Sequence, residues 1–458
     1  MQPGSMVGFP RFLPPDQLLV RDLLGQLRAF EAAPPAIQRA TQAVQLGSLV
    51  SHAAAWSPFW RARIAAAGID PRAPFGMEML TRLPVLSRAD VQANAAGMRA
   101  HVPGTGPGDV EPTSTSGSTG LAVRVERFRP LYKPLYEAAS MLDHQWHQRD
   151  SRRMLGIYVR TVRDADGTRW GPPISWFEAA GPAFLRSTAT TSAEAFLDIM
   201  RERQPAYVAT YPSALRALAA VALERGATMP PVSQFITSTE PVTAATRALA
   251  RRVFGARVTD RYSCEECGWL AHQCPVHDHY HVLSANVVLE VVDDDSQPCP
   301  PGQIGRVLVT ALHSYAMPLI RYELGDLAVL GDGCDCGITL PVLAGIEGRE
   351  REFFVLPDGT RRSAAFNLAL AEPGMDILEQ QMRQYSCGTI EVLLRAGRPI
   401  DDAGRARIAR FVGGLLDNAF PVRVRQEASI SWTGQRKHLA LHRVERPYAE
   451  EGRAAAFL

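Results

Sequence analysis

Two stretches of this sequence bring together side chains that can do chemistry. The first is Thr113-Ser114-Thr115-Ser116-Gly117-Ser118-Thr119-Gly120, which mixes glycines with hydroxyl donors. Backbone N–H groups and hydroxyls in such a loop can wrap phosphate oxygens. It is not the nucleotide loop that ends in Gly-Lys-Ser/Thr, because Leu121 follows Gly120. On composition alone a Ser/Gly-rich linker fits equally well. The second is Cys274-Pro275-Val276-His277-Asp278-His279-Tyr280-His281, with Cys334 and Cys336 further on. These are the soft and borderline ligands that zinc takes in fours. Gly333 and Gly337 would permit the tight turn from which a Cys-x-Cys pair grips one metal.

The chemistry needs a scaffold, and the chain is long enough to build one. Its 458 residues imply more than one folding unit, and 46% hydrophobic with 21% charged residues is a globular balance that argues against disorder. A net charge of +2 gives no ground for a nucleic-acid or membrane-surface partner. The first residues lack an apolar signal core and no run is long enough to span a bilayer, so a cytoplasmic protein is the expectation. The seven cysteines are odd in number and unevenly clustered, which in a reducing compartment points to metal more than to disulfides.

Residues 1–105 read as mostly helical. A helix from Ser57 to Gly68 ends on glycine, and the extended Leu83-Pro84-Val85-Leu86 leads to a helix capped by Ser87. Beyond the loop, apolar runs at 154–159, 206–210 and 235–238 alternate with helical patterns at Ser213–Glu224 and 243–254. That rhythm predicts α/β architecture. Strands at 286–292 and 306–312 form a β-rich part. A hairpin follows Gly348, turning at Pro357-Asp358-Gly359. The strand at 389–395, helix at 402–416 and strand at 422–426 suit a small separate unit. The fold class expected is α/β: a large N-terminal domain (residues 1–348) with mixed and parallel sheets and a β-rich subdomain. A small, mobile α+β C-terminal domain (349–458) completes it.

Taken in order, the segments SPFWRARIAAAG…LPVLSRADV, the Thr113–Gly120 loop, Tyr211-Pro212-Ser213, Ser238-Thr239-Glu240-Pro241, Tyr262-Ser263-Cys264-Glu265-Glu266, Arg321-Tyr322-Glu323-Leu324-Gly325-Asp326 and Gly348-Arg349 resemble the acyl-adenylating superfamily. Acyl-CoA synthetases, adenylation domains and luciferases belong to it, and the phenylacetate-CoA ligase branch is the nearest likeness. The resemblance covers nearly the whole chain; its pieces are degenerate singly but specific in order and spacing.

The resemblance implies the site. Thr115, Ser116, Gly117, Ser118, Thr119 and Gly120 would hold ATP phosphates. Glu266 would reach the Mg²⁺ that ATP brings, a hard cation suited to oxygen ligands. Glu265 stands where the family usually has a hydroxyl residue, and Glu265-Glu266 also reads as a solvated acidic pair. Asp326 would accept both ribose hydroxyls, as a carboxylate can; it also suits a turn after Gly325. Ser238, Thr239, Glu240 and Pro241 would line the adenine, Tyr262 would stack near adenine and the acyl pocket, and Arg349 would contact ribose or phosphate from the hinge. Tyr211, Tyr262 and Trp269 are the expected pocket walls. For structural zinc the expected ligands are Cys274, His281, Cys334 and Cys336, with His277 and Cys267 in reserve. The alternative is reduced thiols beside surface histidines.

One position departs from the family. The lysine that offsets charge while the adenylate forms falls on Gln435, within Thr433-Gly434-Gln435-Arg436-Lys437-His438. Losing such a group costs about 3–4 kcal/mol of barrier. Lys437, on the same face of a strand as Gln435, could substitute, or it is a plain solvated lysine. The function expected is activation of a carboxylic acid, aromatic in the first instance, by ATP, then transfer to a thiol. CoA or a separate carrier protein would be the acceptor, and a homodimer is admitted. The rivals are acyl transfer from acyl-CoA or a preformed adenylate to a carrier thiol without efficient adenylation, and a non-catalytic nucleotide- or acyl-binding homologue.

Overall fold

The computed structural model describes residues 15–106, 108–114, 123–160, 162–170, 181–349, 353–357, 361–363, 377–428, 430, 441–444 and 448. A twelve-stranded mixed sheet dominates the N-terminal part. At one end, Leu155–Tyr158, Gly181–Arg186, Tyr207–Thr210, Gln234–Ser238 and Arg257–Cys264 run parallel. Helices Ala193–Arg203, Pro212–Glu224 and Ala244–Phe254 alternate with these strands. Short apolar runs between amphipathic helices give this result, since a strand covered by helices needs apolar side chains on both faces. The helix Ala244–Phe254 stops at Gly255, whose φ of 63° is the left-handed cap position.

The other end of the sheet is antiparallel, running through Gly268–Gln273, Tyr280–Val282, Val342–Arg349, Tyr322–Leu330, Ile304–Ala311 and Val287–Val292. The N-terminal helices pack here. Pro35–Trp56 buries Leu46, Leu49, Val50 and Ala53 in the largest core cluster, with Trp60 and Tyr322. Gln38 Nε2 donates to Thr339 Oγ1 at 2.8 Å, and the Thr339 N–H donates to the Glu31 carbonyl at 2.9 Å. The first helices are thereby clasped to a segment three hundred positions away.

A second sheet, ordered Val422–Gln426, Ile390–Ala396, Ile377–Tyr385, Leu441–Val444, packs with the helix Asp402–Leu415 over its own core of Ile390, Val392, Leu394, Ile408 and Val412. The fold is thus α/β with a large mixed sheet and a separate smaller α+β unit. Arg395 of the small unit pairs with Glu224 of the large one at 2.6 Å. Among the described residues no helix is long and apolar enough to cross a membrane.

Candidate active site and metal centre

The antiparallel pair Arg257–Cys264 and Gly268–Gln273 is closed by the turn Glu265-Glu266-Cys267. Gly268 follows at φ +80°, the left-handed position a three-residue hairpin loop demands. A side chain there would also strike the Tyr132 ring at 3.2 Å. The turn aims Glu266 inward, where it is 7% exposed. Its Oε1 accepts from Tyr322 Oη at 2.9 Å and from Arg88 Nη2 at 3.1 Å. Among the described residues none donates to Oε2, which fits the oxygen a hard cation needs.

Arg88 is in place because of what precedes it. Leu83–Leu86 lies alongside Tyr322 in a parallel bridge: the Leu86 N–H donates to the Arg321 carbonyl (2.9 Å) and the Glu323 N–H to the Leu86 carbonyl (3.0 Å). Ser87 then caps the helix Arg88–Met98, accepting from the Asp90 N–H while Asp90 accepts from the Ser87 N–H. Buried Arg321, held at φ 51°, secures the approach by donating to the Leu83 carbonyl at 2.8 Å and pairing with Glu290 at 3.1 Å.

Asp326 lies on the strand that carries Tyr322, and Tyr262 on the strand leading to Glu266. Tyr262 Oη donates to Asp326 Oδ2 at 2.8 Å. The two tyrosines therefore bond crosswise: each strand holds the other's carboxylate. Arg349 is the register partner of Asp326 across the antiparallel pair, on backbone positions. Glu265 turns away from this group. Its exposed side chain accepts from Thr113 Oγ1 at 3.3 Å, and its carbonyl and carboxylate accept from Arg127. The extra negative charge thus ties the strands flanking the Ser/Gly loop to the hairpin.

Ser238 ends a parallel strand, and Thr239 follows at φ 80°. Glu240 is engaged with the helix Pro212–Glu224: its carboxylate accepts from the Ser213 N–H and hydroxyl, both at 2.8 Å. Tyr211 is that helix's N-cap residue. A cavity of about 590 Å³, counting its open mouth, lies between the helix Arg129–Trp146 and the hairpin. Tyr132, Leu135, Tyr136, Trp269, Met317 and Leu319 line it, and Glu266, Arg127 and His313 supply polar edges. Trp269 stacks on Tyr136 with ring centroids 4.9 Å apart. Of the three expected pocket residues, Trp269 lines this cavity, whereas Tyr211 and Tyr262 do not. The helix Arg129–Trp146, with Pro134 inside it, supplies the wall instead. Thr115 to Gly120, Gln435 and Lys437 lie outside the described residues.

The second centre joins two segments. Cys274, His279, His281 and Cys334 each place a ligand atom within 4.8 Å of the others. Cys274 and Cys334 sulfurs are 3.7 Å apart, and Cys336 Sγ is 3.2 Å from His281 Nε2. His279 Nε2 is buried without a hydrogen-bond partner. A buried nitrogen without a partner among soft donors fits a metal ligand. Burial lowers the His279 ring and brings His281 down to about 4, so both stay in the neutral, ligating form at neutral pH. Burial pushes the Cys336 thiol up to about 12; a cation would reverse that. His279 is the ligand absent from the expected set, although His279-x-His281 mirrors the spacing of Cys334-x-Cys336. His277 pairs instead with Asp335 at 2.6 Å, and Cys267 sits in the hairpin beside Cys264.

No family model matches the chain. The phenylacetate-coenzyme A ligase of Thermus thermophilus is 26% identical over 334 residues, 71% of this chain and 73% of that protein. In sequence the chain is thus similar to a phenylacetate-CoA ligase. Its fold is that of the adenylate-forming ligases. It matches the crystal structure of 2-hydroxyisobutyryl-CoA ligase in the postadenylation state with R3-HIB-AMP at a TM-score of 0.74 and 19% identity, covering 91% of each chain. Against the same ligase with 2-HIB-AMP and CoA in the thioesterification state the TM-score is 0.60, at 20% identity and 91% of each chain.

Proposed function

We propose that this chain converts a carboxylic acid and ATP to an acyl adenylate and pyrophosphate, then passes the acyl group to the thiol of CoA. The observation that carries this reading is the crosswise pairing of Tyr322 with Glu266 and of Tyr262 with Asp326. It fixes two carboxylates, one suited to the cation that accompanies a triphosphate and one suited to a ribose diol, before any nucleotide arrives. Positioned groups of this kind need no reorganisation during reaction. Thr115–Gly120 would close over the phosphates, and Ser238, Thr239 and Pro241 would flank the base. Glu266 would hold Mg²⁺, whose chemistry is to offset charge on the phosphate oxygens. Arg349 would meet the ribose or phosphate at the junction of residues 1–348 and 349–458, the boundary about which the small domain would turn.

The acid is proposed to be aromatic. Tyr132, Tyr136 and Trp269 give the cavity flat walls, and aromatic pairs gain about 0.5–1.5 kcal/mol beyond burial. Cys274, His279, His281 and Cys334 would hold a structural zinc, with Cys336 beside His281, and four protein ligands leave no open position for catalysis. Lys437 would supply the charge missing at Gln435.

Gln435 also supports a second reading, acyl transfer to a carrier-protein thiol without efficient adenylation. Acid-dependent ATP–pyrophosphate exchange over a panel of aromatic and short aliphatic acids separates the two. Exchange with aromatic acids that falls about a hundredfold in Lys437→Ala supports the ligase reading and that lysine. Binding of acyl-CoA with no exchange for any acid overturns it in favour of transfer.

A further inference from the structure

The turn that carries Glu266 is bracketed by two thiols. Cys264 ends one strand of the hairpin and Cys267 ends its turn. The Cys267 N–H donates to Cys264 Sγ at 3.3 Å. Both residues are partly exposed, and Cys267 lines the cavity. Neither belongs to the candidate metal cluster of Cys274, His279, His281 and Cys334. Residues i and i+3 of a turn lie within 7 Å at Cα, inside the span a disulfide can bridge.

We propose that Cys264 and Cys267 form a reversible disulfide that displaces the Glu266 carboxylate and so makes acid activation redox-sensitive, the oxidant being a low-molecular-weight disulfide such as oxidised glutathione. The effect on activity rests on the role given to Glu266 above. Cys267, the thiol that faces the cavity, attacks the small disulfide after losing its proton and releases one glutathione thiolate. Cys264 then attacks the mixed disulfide at the Cys267 sulfur and releases the second. Two protons and two electrons leave the protein, one S–S bond forms in it, and one is broken in the oxidant. Bond formation draws the sulfurs to about 2.0 Å. The peptide between them must turn, and Glu266 sits in that peptide. Its bonds to Arg88 and Tyr322 depend on the present turn, so the carboxylate moves out of register with Asp326. In reducing compartments bridges of this type are transient and sensing rather than structural.

The test uses the full-length, metal-loaded chain incubated with oxidised glutathione. Three readouts are made on each sample: non-reducing peptide mapping, MgATP affinity with ATP–pyrophosphate exchange, and zinc content. The expected result is a 264–267 linkage, with exchange and MgATP affinity falling about tenfold or more. Zinc content is unchanged, and dithiothreitol restores both. Cys267→Ser, which lacks the attacking thiol, is expected to keep in oxidant the exchange it has when reduced. The proposal is overturned if both thiols stay open to alkylation, if the linkage forms without changing MgATP affinity or exchange, or if Cys267→Ser is inactivated as the wild type is. Should the reduced protein show no exchange at all, the ligase reading fails by itself, and linkage with MgATP affinity still decides the thiol pair.

Discussion

Arg88 and Glu266 form an ion pair 3.1 Å long between the first turn of a helix and the tip of a hairpin. The carboxylate is nearly closed to solvent, and the guanidinium is about one-fifth exposed. The pair holds Glu266 in place, and it links the N-terminal helices directly to the hairpin at the candidate site.

Removing Arg88 leaves a buried carboxylate with Tyr322 alone. Arg88→Met is expected to lower unfolding stability by about 3 kcal/mol, seen as a reduced urea midpoint at unchanged slope. Glu266→Gln keeps an acceptor for Tyr322 and should fold normally, yet lose exchange by about a hundred- to a thousand-fold. Normal exchange in the glutamine variant would remove Glu266 from the metal role.

Tyr262→Phe deletes the hydroxyl that orients Asp326 and should weaken ATP binding by about tenfold, the scale of one hydrogen bond to a charged group. Asp326→Ala should weaken it further. Calorimetric titration with ATP checks both, and an unaltered affinity in Asp326→Ala would rule out the ribose contact.

Purified protein should carry about one zinc per chain, and Cys334→Ser or His279→Ala should reduce that content. Treatment with a chelator is expected to lower the melting temperature without an aromatic acid present, since the cluster fastens two distant strands. Full stability after complete zinc removal would show the cluster to be plain thiols and histidines.

Burial raises the Glu31 carboxyl from 4.5 to about 7, against a hydrogen bond from Trp146. The folded state therefore holds a proton that the unfolded chain releases between those values. Its contribution is fully present below pH 4.5 and is lost as pH rises through about 7. Glu31→Gln should match the wild type near pH 4.5. At pH 8 it should be more stable by about 2 kcal/mol, allowing for partial exposure. Unfolding curves at the two pH values decide this, and an equal difference at both would exclude the titration.

Much of the fold could be read from side-chain pattern. The helix Pro212–Glu224, the strand Gln234–Ser238, the Ser87 cap and the Gly255 stop all agree with local chemistry. The strand Ala165–Trp170 and the helix Arg129–Trp146 were not legible: the strand is an edge with little apolar alternation, and the helix has Pro134 within it. Glu266 and Asp326 stood out as motif carboxylates and Tyr262 as a pocket residue, but the bonds that pair them with Arg88, Tyr322 and each other did not. Arg88 is 178 positions from Glu266, and Tyr262 is 64 from Asp326. Contacts across strands leave no periodic trace. Glu240 matched an adenine-side motif, while its carboxylate is spent on capping a helix.

The clasp between Gln38, Glu31 and Thr339 sets an order on the chain's birth at the ribosome. The helix Pro35–Trp56 emerges early and packs first on Pro58–Ala66, while the strands that complete their shared core cluster arrive more than two hundred residues later. At about 5–20 residues per second, that cluster waits roughly ten seconds or longer. Chains cut short before residue 339 lack the closing contact altogether. They are the species that should engage chaperones or aggregate, and a ladder of stalled lengths probed by limited proteolysis would mark protection appearing only once that segment clears the exit tunnel.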